Sequence, residues 1–222
     1  MSHSVGVSAE FAGFPQRILD AEKAIRKLNP LLRQIADYAM DPPQSILDQL
    51  SDLASSWFNT KSKYTELLSD SRQIVAAAAR HCNDLTGSLV LFLQCEDTTT
   101  ETKSAKLDLF LGNIEHDEAI TTVWSREFDI VLQDYQFSQK LWNSIIITGG
   151  LDQTHFMRTL VAEVVPCLED VKTKLLALTN GFHALVHFYT GIRADLNSVQ
   201  KQLSEVDVPG RPSWTVSADY TF

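Results

Sequence analysis

The chain has 222 residues, of which 44% are hydrophobic and 21% charged, and its formal net charge is −9. That length supports one domain with a large core or two small ones, and the composition is that of an ordinary globular protein. The acidic balance argues against a nucleic-acid groove, because phosphate recognition needs clustered Lys and Arg.

Residues 1–14 read as a flexible N-terminal segment, with Gly6 and Gly13 set among Val5, Val7, Phe11 and Phe14. They lack a charged start followed by a long apolar core, so no signal peptide is expected. The first helix is expected over 15–40, with a seam of Ile18, Ala21, Ile25, Leu28, Leu32, Ile35 and Ala39 spaced four and three. Pro30 falls on the outward side of that register, where a kink costs least in packing. Between 17 and 40 stand five basic residues, Arg17, Lys23, Arg26, Lys27 and Arg33, against Asp20, Glu22 and Asp37. This is the only mildly basic element.

Asp41-Pro42-Pro43-Gln44 breaks and restarts the helix: Asp41 can cap, the prolines suit a first turn, and Gln44 stands three residues beyond the cap. A second helix is expected over 44–95. Its seam runs through Trp57, Thr60, Tyr64, Leu67, Ser71, Ile74, Ala78, His81 and Leu85, with polar members that can fix register.

Gly87 and Gly112 bracket two compact apolar runs, Ser88–Leu93 and Leu107–Leu111, separated by the polar stretch 96–103. Two forms fit this region. Either both helices continue and the polar stretch is a turn, or the segment is an amphipathic hairpin able to leave the bundle and enter a bilayer, with the glycines as hinges. Ser88–Leu93 is apolar almost all round, so its periodicity does not separate helix from strand.

A third helix is expected over 105–148, on Ile114, Thr121, Trp124, Phe128, Val131, Tyr135, Trp142 and Ile145, and ends at Thr148-Gly149-Gly150. The fourth, over 152–206, carries an unbroken double heptad ladder. One register is Val161, Leu168, Leu175, Phe182, Tyr189, Leu196 and Leu203; the other is Val164, Val171, Leu178, Leu185, Ile192, Val199 and Val206. Such a seam requires a long helix, about 70 Å at 1.5 Å per residue, packed against other helices. The tail 207–222 holds Pro209, Gly210 and Pro212 together with Trp214, Tyr220 and Phe222, and is expected to dock in extended form on its own bundle or on a partner. Short connections force antiparallel neighbours. The expected fold is therefore all-α: an elongated up-down-up-down antiparallel four-helix bundle with coiled-coil-like helices, formed as a single bundle over 15–206.

The chemistry-bearing residues point to no reaction. His183 and His187 share a helix face outside the seam, without a third ligand or a metalloprotease Glu. A di-iron bundle needs two Glu-x-x-His motifs, and the chain has only Asp152-x-x-His155. Glu115-His116-Asp117-Glu118 spreads around a helix as a solvated face does. Trp57, Trp124 and Trp142 sit on seam positions and are explained by packing, while Tyr220-Thr221-Phe222 has the form of a peptide ligand for a sheet edge. Cys82, Cys95 and Cys167 show no metal spacing and suit a reducing compartment. No run reaches about 18 apolar residues. A cytoplasmic protein is expected, with release without a signal peptide as the alternative.

The layout, rather than any motif, is similar to the soluble form of α-helical pore-forming toxins of the cytolysin A type. That resemblance implies an apolar tongue at Ser88–Leu111 and a second membrane-seeking element in Val5–Phe14 with the first helix. Three functions follow. The first is a non-enzymatic bundle acting through protein–protein interaction or self-assembly; the second is a membrane-acting pore former; the third is a metal- or cofactor-binding bundle enzyme. The first is preferred, with a protein partner or a homo-oligomer and with no cofactor. Its candidate membrane or partner contacts are Leu89, Leu91, Phe92, Leu109, Phe110, Phe11, Phe14, Trp214, Tyr220 and Phe222.

Overall fold

A computed structural model describes residues 13–38, 44–148 and 155–206. The chain is all-α, with four long helical stretches and no strand among the described residues. Helix α1 spans Phe14–Tyr38 and α2 spans Gln44–Asp84. A π-helical turn, Leu85–Leu89, leads into the short α3, Val90–Gln94. Helix α4 is Thr100–Thr148 and α5 is His155–Val206. The segment 88–111 is thus helix, turn and helix, and α4 begins five residues earlier than the expected 105.

Local chemistry sets that early start. The Thr99 hydroxyl accepts from the Thr102 backbone N–H at 3.3 Å and pairs with the Thr102 hydroxyl at 2.8 Å, while the Lys103 N–H closes the first turn on the Thr99 carbonyl at 3.0 Å. This is an N-cap, placed where a helix leaves free N–H groups, and Glu101 adds an acidic side chain to the first turn.

The π turn accounts for the missing periodicity nearby. Leu85, Leu89 and Leu93 are all buried, yet each lies four residues from the next. On a purely α-helical path every such step drifts by about 40° around the axis. The wider π turn removes much of that drift and keeps the three leucines on one side.

Most described seam residues are buried; His81, Trp124 and Val199 are half-buried. On α5, Leu168, Val171, Leu175, Leu178, Phe182, Leu185, Tyr189, Ile192, Leu196 and Leu203 all belong to the core. Pro30 and Pro166 lie inside helices, and both are exposed, where a missing N–H can be replaced by water.

The chain divides into two compact units. One comprises Phe14–Arg72 and Trp124–Asn180. Its core is aromatic, with Trp57 edge-on to Tyr135 at 6.0 Å and Tyr64 edge-on to Phe128 at 6.5 Å. Here Ser56 meets Ser138 at 2.9 Å and Lys63 reaches Asp134 at 3.5 Å, so numbers rise on α2 as they fall on α4 and these stretches run antiparallel. The Tyr135 hydroxyl donates to the Leu168 carbonyl at 2.6 Å, and Arg72 clasps Glu22 at 2.6 Å.

Among the described residues the other unit comprises Gly13, Gln73–Val123 and 181–206. Glu118 accepts from the Thr190 hydroxyl at 2.7 Å and faces Arg193 at 3.0 Å, while Gln200 donates to Asp108. That order makes α4 and α5 antiparallel within this unit.

Candidate functional site

Two features of the surface carry information beyond the core. The first is apolar. Leu91, on α3, is 62% exposed and Leu109, on α4, is 64% exposed, while Leu89 and Phe110 beside them are buried and Phe92 is half-buried. Of the expected contact residues here, Leu91 and Leu109 face solvent in the folded form, whereas Leu89 and Phe110 pack the interior. Phe14 is buried as well, at the start of α1. Phe11, Trp214, Tyr220 and Phe222 lie outside the described residues.

Helix α4 continues the pattern in both units. In the unit holding Leu109, Val123 is 56% exposed; in the other unit, Ile130 is 42% and Phe137 is 65% exposed. Within the first of these units Leu109, the exposed His116 and Val123 stand seven residues apart on α4, and within the other so do Ile130 and Phe137. The buried seam of that helix, Ile114, Thr121, Phe128, Tyr135 and Trp142, keeps the same period two residues out of step. Two residues is about 200° of helix, so the exposed line is the opposite face. Among the described residues, Phe58 on α2, 62% exposed, completes the set of large apolar side chains above 60%.

The second feature is polar and lies within the unit of Gln73–Val123 and 181–206. His81 Nε2 meets the Asp117 carboxylate at 2.6 Å, joining α2 to α4. Phe110 and Tyr189 stand edge-on to the imidazole, at 5.9 and 6.0 Å. The Tyr189 hydroxyl and His81 Nδ1 are buried without a hydrogen-bond partner. Burial pushes the Tyr189 phenol above its ordinary value, with Asp117 adding to the effect. His81 and Asp117 also line a cleft of about 290 Å³ together with Arg80, Asp84, Asn113 and His116.

Sequence reading placed His81 in a seam and Asp117 in a solvated cluster, and missed their pairing. The only signal was a histidine among the seam positions of α2, since the two residues stand 36 apart. Chemically the pair is a charge-capable tie between two helices. Among the described residues no group of three or more His, Cys, Asp or Glu is arranged to hold a metal ion. His183 and His187 are both exposed, off the buried registers of α5. All three cysteines are free thiols: Cys95 exposed, Cys82 half-buried and Cys167 buried. No helix among the described residues is long and apolar enough to cross a membrane.

No family model matches the chain, and neither a curated protein nor a solved structure matches it.

Proposed function

We propose that this chain acts non-enzymatically, through its surface, by assembling with copies of itself. One observation carries the reading: Ile130 and Phe137, seven residues apart on the outer face of α4 within one unit, are 42% and 65% exposed although the interior is well supplied with apolar side chains. Single exposed apolar residues are ordinary, but apolar residues repeated at helical intervals on an outer face are what a partner helix covers. The test is chromatography with light scattering over a wide range of protein concentration, comparing wild type with a variant carrying Leu109→Glu, Val123→Glu, Ile130→Glu and Phe137→Glu. Self-association that rises with concentration and disappears in the variant supports the reading. Monomers at every concentration overturn it.

A second reading, membrane action through the 88–111 segment, is favoured by the exposed Leu91 and Leu109 and by the bracketing Gly87 and Gly112. A Cβ at either glycine would meet nothing within 4 Å, so close packing does not require glycine there. Dye leakage from liposomes is the test: leakage abolished by Leu91→Asp supports this reading, and absence of leakage across pH and lipid composition removes it.

A further inference from the structure

The outer face of α4 within the unit Phe14–Arg72 and Trp124–Asn180 is charged asymmetrically about its apolar line. Ile130 and Phe137 form that line. Arg126, Gln133 and Lys140, all exposed, stand three residues beyond successive members of the line or its seven-residue continuation, and so border one side. Glu127 is exposed and Asp134 half-exposed; they stand four residues beyond and border the other side. Asp134 already meets Lys63 at 3.5 Å, with its side chain still 45% exposed. On α4 itself one edge is therefore basic and the other acidic, with Lys63 of α2, 54% exposed, beside the acidic one.

This polarity fixes how two such faces can meet. When identical helices pack face to face and parallel, the left edge of each lies against the right edge of its partner. Arg126 and Lys140 of one copy then oppose Glu127 and Asp134 of the other, on both sides of the two-fold axis. In antiparallel packing, left meets left and right meets right. Basic would then face basic and acidic face acidic, which opposes association.

Building on the self-assembly reading above, we infer that the occupant of this face is a second copy of the chain, docked parallel, α4 against α4. Ile130 and Phe137 form its apolar centre, and the two charged edges act as complementary borders. The interface is isologous with its two-fold axis along the helices, so each residue of the centre lies opposite its own copy.

The experiment uses the full chain in two charge variants. Variant one carries Arg126→Glu and Lys140→Glu, making both edges acidic; variant two carries Glu127→Lys and Asp134→Lys, making both edges basic. Each alone is expected to self-associate at least about tenfold more weakly than wild type, and their mixture to form a heterodimer at near wild-type strength. Circular dichroism checks that both remain helical. Orientation is read from Ile130→Cys and Phe137→Cys, each made separately with Cys95→Ser to remove the exposed native thiol. Parallel packing gives disulfide-linked dimers at both positions, whereas antiparallel packing brings at most one residue of the line onto its own copy. Variants that self-associate like wild type, or cross-linking at one position only, overturn this interface while leaving self-assembly itself standing. A monomeric wild type overturns both.

Discussion

Three buried tyrosines offer a matched test of how hydrogen bonding is distributed through this fold. Tyr64, Tyr135 and Tyr189 are exposed by only 2%, 1% and 0%. The Tyr135 hydroxyl donates to the Leu168 carbonyl at 2.6 Å, whereas those of Tyr64 and Tyr189 are buried without a partner. Removing the hydroxyl with Tyr→Phe leaves ring volume and edge-on packing in place at each site. A made hydrogen bond contributes about 1 kcal/mol net, and a buried polar group without a partner costs about 1–3 kcal/mol. Tyr135→Phe is therefore expected to lower stability by about 1 kcal/mol, and Tyr64→Phe and Tyr189→Phe to raise it by about 1 kcal/mol or more. The gap of about 2 kcal/mol corresponds to roughly a thirtyfold change in the unfolding equilibrium. Urea denaturation followed by far-ultraviolet circular dichroism, at one fixed protein concentration, reads it from midpoints at unchanged slope. Equal losses at all three positions, or Tyr135→Phe as the most stable variant, would refute the reasoning.

The same burial pushes all three phenols above their ordinary value of 10.0. The folded state holds them neutral, so this stability is fully present below pH 10 and declines as pH rises beyond it. Phenolate absorbance from these residues should therefore appear together with loss of helical signal; phenolate formed in a fully helical chain contradicts this. Gly112→Ala and Gly191→Ala should each add about 0.5–1 kcal/mol, because a methyl at either helical position meets nothing within 4 Å and the unfolded chain loses freedom. A lower urea midpoint in either variant contradicts that assignment. Cys95 is exposed, and a hydrogen bond from the Thr98 hydroxyl, then one from the Asp97 backbone, hold its thiol below the usual range, while burial pushes the Cys82 thiol up. Iodoacetamide labelling read by peptide mass should modify Cys95 first at neutral pH, and Thr98→Val should slow it; equal labelling of Cys82 rules this out.

The long helices were legible because their apolar residues repeat at helical spacing, without a break on the last helix. The two α5 registers, from Val164 to Leu203, show the relation most directly, since nearly every described member is buried. Thr99 as a cap was visible in the threonine run 98–100 but was absorbed into a turn. The π turn was not legible: Ser88–Leu93 is apolar almost all round, and spacing cannot reveal where a helix widens by one residue. His81 and Asp117 escaped because each looked ordinary in its own local pattern, and only packing makes them neighbours. The outer line of α4 was open to reading throughout. Ile130 and Phe137 keep the same seven-residue period as the seam, but a search for one buried face stops at the first that satisfies it.

The most direct measurement is sedimentation velocity of the intact wild-type chain across a broad concentration series. Self-assembly through exposed apolar surface predicts a sedimentation coefficient that climbs with concentration toward a dimer and falls back to the monomer value on Phe137→Glu. A single monomeric species at every concentration, unchanged by that substitution, contradicts it.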